Sequence, residues 1–273
     1  MTAWRRLSRE PAALIGGAIV LVFVILAVFA PLIAPYDPIA SDWMVVREAP
    51  SLAHPFGTDD LGRDVLSRVI YGARASLAAG CISVVVAMLL GIPLGLISGY
   101  FGGIVDVVIS RFTDALLACP FLVLAIALAA FLGPSLENAM IAIGISAMPI
   151  FTRLTRGQTL AVRTEDYIQA VIGQGVSSPK ILFAHVLPNV LPPIVVQATL
   201  TTAVAVLAEA SLAFLGLGQA PPAPSWGSML DAARQFLVDA PWMAVWPGLA
   251  IVAIVVGFNL LGDALNDVLN PRA

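Results

Sequence analysis

Charged residues divide the chain into long apolar stretches separated by short polar ones. A helix rises about 1.5 Å per residue, so about 20 apolar residues cross the hydrocarbon core of a bilayer. Five uncharged stretches reach that length, and a sixth reaches it if Arg153 and Arg156 extend from the helix end towards water. The pattern therefore predicts six membrane-spanning helices, drawn from residues 11–36, 75–105, 115–136, 138–160, 181–208 and 240–262.

The first apolar stretch is similar to a secretory signal peptide, because Arg5, Arg6 and Arg9 precede it. A cleaved signal has an apolar region of about 7–15 residues, whereas residues 14–34 are almost continuously apolar. The length favours a retained anchor. We expect residues 1–36 to form a cytoplasmic tail and the first span.

The composition indicates that lipid, rather than water, surrounds most of the protein. Of 273 residues, 11% are charged and 59% are hydrophobic, whereas a soluble domain of this size carries about 25–35% charged residues on its surface. The net charge of −3 argues against a nucleic-acid partner, whose phosphates attract clustered Lys and Arg. Cys81 and Cys119 stand singly in apolar stretches, a pattern that indicates neither a disulfide framework nor a metal site.

The distribution of Lys and Arg predicts the orientation of the chain. Six spans place both termini on one side of the membrane. If that side is the cytoplasm, nine of the 14 Lys and Arg residues lie inside and five lie outside. Because positive residues concentrate in cytoplasmic loops, we expect both termini in the cytoplasm.

The cytoplasmic loop between the fourth and fifth spans begins with a helix pattern. Thr164 is placed to cap this helix, and Glu165 and Asp166 suit the positive end of its dipole. Apolar residues then recur at helical spacing, namely Tyr167, Ile168, Val171 and Ile172.

A second short helix follows a glycine bend. Gly173 and Gly175 end the first helix, Ser178 and Pro179 form the start of the second, and Pro188 is expected to interrupt it. Such an amphipathic pair either lies on the lipid surface or docks into a groove of a partner protein. For a generic membrane protein the pattern favours the lipid surface.

Two segments are expected on the opposite side of the membrane. Apolar residues within 61–70 fall on one helical face, which predicts an interfacial helix leading into the second span. The stretch Gly216–Trp226 is rich in glycine and proline, so it cannot form a regular helix and the fifth span should end before it.

Glu209 stands out because uncharged runs of 28 and 21 residues flank it. A carboxyl group inside a membrane is a candidate functional site. It lies about 20 residues beyond the start of the fifth span, near the outer interface, so a structural contact with the following glycine- and proline-rich loop is favoured over a solute contact. Asp106, Arg111 and Asp114 are close enough in sequence to pair locally.

The sequence contains no recognisable catalytic constellation. His54 and His185 fall on opposite sides of the membrane in the predicted topology, and no cluster of His, Cys and Glu supports a metal. Lys180 follows Ser178 and Pro179 rather than a glycine-rich turn, so the chain lacks a phosphate-binding loop. If ATP drives transport, another chain hydrolyses it.

The cytoplasmic loop resembles one found in permease subunits of bacterial ATP-binding-cassette (ABC) importers. That family has the pattern E-A-A, three residues, G, nine residues, I-x-L-P. The chain matches it at Ala170, Gly175, Leu187 and Pro188 and departs from it at Gln169, Val171 and His185. Three further blocks are similar to the second, or C, subunit of the dipeptide/oligopeptide/nickel group, at residues 54–64, 214–227 and 259–263.

The resemblance implies an all-α integral membrane protein with six transmembrane helices and the type I ABC importer permease fold. It reverses the preference for the lipid surface, because it implies that the loop of residues 161–188 is seated in a groove of an ATPase subunit. This loop would lie in a five-helix core, residues 75–273, that follows an extracytoplasmic loop, residues 37–74. The residues implied in coupling are Glu165, Tyr167, Ile168, Gln169, Ala170, Val171, Gly175, Leu187 and Pro188.

The resemblance also implies a set of partners. These are a homologous permease, two cytoplasmic subunits that bind ATP and Mg, and an extracytoplasmic solute-binding protein. The chain itself would be a non-catalytic, multi-pass subunit in the bacterial inner membrane. It would hold no cofactor or metal. Peptide is the expected cargo, while nickel chelates, glutathione and oligosaccharides stay open. One alternative is a self-sufficient secondary transporter, which should carry ionisable groups at mid-membrane in both halves, where we find only Glu209. Another is a membrane scaffold, which leaves the cytoplasmic helix pair unexplained.

Overall fold

The apolar stretches fold into long helices. The computed structural model describes residues 10–269, which form helices, loops and one isolated antiparallel bridge between Thr58 and Asp64. In chain order the helical elements are α1 (Pro11–Val28), α2 (Ala30–Ile33), α3 (Val65–Phe101), α4 (Gly103–Leu117), α5 (Phe121–Leu132), α6 (Leu136–Arg163), α7 (Asp166–Gly173), α8 (Ser178–Ile181), a π-helical turn (Leu182–Val186), α9 (Leu187–Phe214), α10 (Trp226–Ala233), a 3₁₀ turn (Arg234–Phe236) and α11 (Trp242–Leu269).

Five helices in the described range are long and apolar enough to cross a membrane. They are α1, α3, α6, α11 and the continuous helix Ser178–Phe214. Helices α4 and α5 add a sixth candidate if they count as one span that is bent by 90°. The break falls at the residues before Phe121, where Pro120 lacks the N–H that would continue the helical bonding. The prediction of an all-helical membrane fold is confirmed, with the third predicted span broken.

The predicted interfacial helix at residues 61–70 does not form as a separate element. Gly62 lies in a turn with φ of +72°, and α3 begins at Val65, where the Asp64 carboxylate caps it by accepting the Ser67 backbone N–H. The prediction was wrong because the apolar face packs on protein: Val65 and Val69 are buried in one cluster with residues of α10 and α11.

The second cytoplasmic helix is not interrupted at Pro188. It passes from α8 through the π-helical turn directly into α9. Pro188 directly follows the π turn, where the backbone bonds are spaced differently from those of an α-helix and the missing proline N–H is accommodated. The second helix of the predicted coupling loop and the fifth span therefore form one continuous helical element, Ser178–Phe214.

The tightest packing lies between α3 and α6. Gly91, Gly95 and Gly99 stand at intervals of four residues on α3, so they share one face. A Cβ on any of them would approach α6 atoms to 2.6–2.8 Å, closer than van der Waals contact allows. Small residues that let two backbones approach are the usual means of packing helices in a membrane.

Candidate coupling segment and polar clusters

The predicted coupling segment, residues 165–188, starts at the C-terminal end of α6. Helix α7 begins after Glu165, whose backbone is extended. The expectation that Thr164 caps α7 was wrong, because the Thr164 hydroxyl donates to the Ala161 carbonyl at 2.7 Å. Helix α8 likewise begins one residue earlier than expected, since Ser177 rather than Ser178 is the capping position.

The apolar residues of α7 face two directions. Ile168 is completely buried in the chain's own core, and Val171 packs against the same core. Tyr167 and Ile172 are exposed. Of the implied coupling residues, Ile168 and Val171 therefore fasten α7 to the body of this chain, and Tyr167 is the large apolar one that stays exposed.

The exposed surface of α7 is mixed in character. Its members are Glu165, Asp166, Tyr167, Gln169, Ala170 and Ile172. The Gln169 side chain donates to the carbonyl of Arg163 at 2.8 Å, so it satisfies a backbone acceptor in the last residue of α6. The residue that departs from the family's acidic position thus serves a local structural role.

Gly175 forms the bend between the two helices of the coupling segment. Its φ is +74°, in the left-handed region that residues with a Cβ rarely adopt. Its N–H donates to the carbonyl of Ile172, which closes the end of α7. Beyond the bend, Leu187 packs against the core and Pro188 is exposed at the start of α9.

Glu209 lies on α9 at a junction of three helices and is completely buried. The Ser76 hydroxyl of α3 donates to Glu209 Oε2 at 3.1 Å, and the Trp226 backbone N–H at the start of α10 donates to that hydroxyl at 3.3 Å. Among the described residues, Glu209 Oε1 has no hydrogen-bond partner. The arrangement links Glu209 through Ser76 to the end of the glycine- and proline-rich loop.

The acidic residues of α4 pair with α6 rather than with Arg111. Asp106 receives a bidentate bond from Arg156, with Nε at 2.5 Å and Nη2 at 2.6 Å, and Asp114 meets Arg153 at 2.8 Å. The prediction of local pairing was wrong, because the bend after α4 lays this helix beside α6. Two long-range ion pairs therefore connect the broken span to the helix that leads into α7.

The block at residues 54–64 forms a folded loop immediately before α3. Asp59 accepts from Arg63 at 2.7 Å and lies 3.3 Å from Arg68, and all three side chains are buried. Asp64 binds His54 at 3.0 Å as well as capping α3. Groups of three or more His, Cys, Asp or Glu arranged to hold a metal are absent from the described residues.

Two family descriptions cover most of the chain. "Binding-protein-dependent transport system inner membrane component" matches residues 91–273, and "N-terminal TM domain of oligopeptide transport permease C" matches residues 1–54. The fold is similar to that of the MetNI methionine ABC transporter in inward-facing conformations. That likeness has a TM-score of 0.60 at 22% identity and covers 74% of this chain and 96% of the other.

Three curated relatives match nearly the whole chain. The dipeptide transport system permease protein DppC of Alkalihalophilus pseudofirmus is 46% identical, covering 99% of this chain and 89% of the relative. The glutathione transport system permease protein GsiD of Pectobacterium atrosepticum and the probable D,D-dipeptide transport system permease protein DdpC of Escherichia coli are each 43% identical. Each match covers 98% of this chain and 90% of the relative.

The chain is therefore a multi-pass inner-membrane component of an ABC importer. More narrowly, it belongs to the permease family of binding-protein-dependent transport systems, as a C-type subunit of the dipeptide and oligopeptide group. It is a non-catalytic component, as the sequence predicted. Family membership excludes the self-sufficient transporter and the scaffold.

Proposed function

We propose that this chain is the transmembrane subunit of an importer that moves dipeptides and short oligopeptides across the inner membrane. The observation that carries the proposal is 46% identity over almost the full length to a dipeptide permease. The probable D,D-dipeptide permease, at 43% identity, supports the same cargo class.

Glutathione is the second candidate cargo, because a glutathione permease is 43% identical to this chain. Glutathione is itself a short peptide with free carboxylates and a free ammonium group. The two candidates therefore share their chemistry, whereas nickel chelates and oligosaccharides have no such support among these relatives.

The proposed assembly contains a homologous permease, two cytoplasmic ATP-binding subunits that hold ATP and Mg, and an extracytoplasmic solute-binding protein. Residues 165–188 engage one ATP-binding subunit. The exposed side of α7, with Glu165, Tyr167 and Gln169, supplies the contact, and Gly175 sets the angle between its two helices. Closure of the ATP-binding subunits then moves α7 and α9 as a rigid body.

The test is reconstitution of the purified complex with its binding protein in proteoliposomes. ATP hydrolysis and uptake are measured with alanyl-alanine, a tripeptide and glutathione, and with a disaccharide as the unrelated control. Hydrolysis and uptake that rise with peptides support the proposal. A complex that responds to glutathione alone moves the assignment to the second candidate, and a complex that responds to none of the peptides refutes it.

A further inference from the structure

A cavity of about 330 Å³ lies between α4 and α6, beside the two ion pairs. This volume is at the lower end of the ~300–1,000 Å³ range of small-molecule sites. Its polar lining consists of Ser110, Thr113, Asp114, Thr152, Arg153 and Arg156. Carboxylate, guanidinium and hydroxyl groups thus meet in one space within a chain that is otherwise poor in charge.

The cavity lining contains a negative and a positive side chain whose mutual contact a ligand can replace. The side chains of Asp114 and Arg153 are 54% and 62% exposed, although they contact each other at 2.8 Å. Exposed pairs of this kind contribute little stability, so a ligand with complementary charges replaces the pair at small cost.

Arg156 is more firmly held. Its Nε and Nη2 bind Asp106, and within the described residues no hydrogen bond engages its Nη1. The bidentate pair therefore fixes the plane of the guanidinium group and leaves one nitrogen to donate into the cavity.

The hydroxyl groups of the lining already donate their protons within the chain. Thr113 donates to the carbonyl of Ile109, Thr152 donates to the carbonyl of Met148, and Ser110 donates to Asp106. Thr113 and Thr152 are almost completely buried, so Ser110 is the hydroxyl whose remaining hydrogen-bonding capacity is open to an incoming donor. A ligand that supplies N–H groups between two opposite charges matches this lining.

We propose that this cavity is a cargo subsite for short zwitterionic peptides with both termini free. The terminal ammonium binds Asp114, the terminal carboxylate binds Arg153 and the Nη1 of Arg156, and the peptide N–H donates to the Ser110 hydroxyl. The site reads the termini that all short peptides share and not their side chains. This inference rests on the proposed function and assigns it a recognition site within the permease.

The test measures peptide binding to the purified complex in the absence of the binding protein. Saturation-transfer NMR, which detects weak ligands, is recorded with alanyl-alanine, its N-acetyl derivative and its C-terminal amide. Each blocked peptide loses one interaction with an exposed charged side chain, so we expect it to bind about two- to fivefold more weakly. This comparison uses the unaltered complex and does not depend on any variant folding.

Substitutions in the cavity lining test whether the peptide binds there. Asp114→Asn should weaken binding of the free peptide while leaving the N-acetyl derivative unchanged, and Arg153→Gln should do the same for the amide. Arg153→Lys, which keeps the charge, should restore part of the binding. Arg111→Gln is the matched control, because Arg111 is an exposed residue of α4 outside the cavity lining.

Three binding results would overturn the inference. They are equal binding of free and blocked peptides, equal binding by the Asp114 and Arg111 variants, and competitive displacement of alanyl-alanine by phosphatidylethanolamine. The last would assign the site to a zwitterionic lipid headgroup. If the cavity variants import peptide like the control, the inference fails and the proposed function stands, whereas absence of peptide uptake by the unaltered complex refutes the proposed function itself.

Discussion

Gly175 lies in the turn between α7 and α8 with φ of +74°, and an added Cβ at this position would meet no atom within 4 Å. Space is therefore available there, and the backbone conformation alone requires glycine. In this left-handed region a residue with a Cβ destabilises the fold by about 1–2 kcal/mol. Alternatively, the backbone takes another conformation and the chain leaves the bend in a different direction. The angle between the two helices depends on this one dihedral.

Gly175→Asp should abolish ATP-coupled uptake while the chain still reaches the membrane. Gly173→Asp is the matched control, because Gly173 also has open space around its Cβ but has no positive φ. Uptake and membrane abundance are measured for both variants in proteoliposomes and membranes. Normal uptake by Gly175→Asp would refute the role of this bend in coupling.

Glu209→Gln should affect assembly more than transport, because the amide oxygen still accepts from Ser76 while an NH₂ group takes the place of Oε1, which has no partner among the described residues. Glu209→Leu removes the acceptor as well, and the expected loss of stability is about 1–3 kcal/mol. Thermal unfolding of the purified complex measures both variants, with Ser211→Ala on the same helix as the control. An intact Glu209→Gln complex that fails to transport would make Glu209 a functional group.

At the level of single residues, the sequence predicted the helix, the bend and the second helix of the candidate coupling segment, but not which side of α7 packs on the chain's own core. Tyr167, Ile168, Val171 and Ile172 are all apolar, so periodicity alone could not separate the two that anchor α7 from the two that are exposed. The pairing of Asp106 with Arg156 was also beyond sequence reasoning, since 50 residues separate them.

Among the elements, α3 and α6 show how closely two helices approach. A Cβ on Gly95 would lie 2.6 Å from the Thr152 carbonyl oxygen and 2.6 Å from Thr155 Cβ. Both contacts are to rigid parts of α6, so neither neighbour can rotate away. The two helices would have to separate along the whole glycine face.

Gly95→Leu should therefore destabilise the protein by about 1–3 kcal/mol, the usual cost of overpacking. Gly17→Leu in α1 provides the control, because its Cβ would meet nothing within 4 Å. The midpoint of thermal unfolding in detergent and the yield of monodisperse protein measure the effect. Equal midpoints for the two variants would contradict this account of the packing.

Long uncharged stretches located the spanning helices well, since burial in lipid depends on composition over some 20 residues. The broken span was missed for the same reason. Residues 115–136 are uncharged, but α4 starts at Gly103 and carries charged residues along its length. The available signals were Pro120 and the pair Gly102–Gly103, which mark the ends of α4 more clearly than charge does.

On the scale of the whole molecule, the predicted orientation places the loop of residues 37–64 outside and the coupling segment inside. Leu52 in the first loop and Gln174 beside the coupling bend are both exposed, which makes them suitable reporters. Three predicted spans separate the two residues along the chain, so they should lie on opposite sides of the membrane.

A membrane-impermeant maleimide should label Leu52→Cys in intact spheroplasts and Gln174→Cys only after permeabilisation. Both substitutions are made in a background of Cys81→Ala and Cys119→Ala, which by itself should give no labelling. The reverse pattern would invert the topology and would remove the coupling segment from the cytoplasm.

The π-helical turn has a mechanical consequence. Because it joins α8 to α9 without a break, residues 178–214 form one helical element of 37 residues, about 55 Å along its path. A tilt of about 5° around its cytoplasmic end would displace its far end by about 5 Å, one helical turn. Glu209 and the start of α10 lie at that far end, so a small movement imposed by a nucleotide-driven motor would be amplified at the opposite face of the membrane.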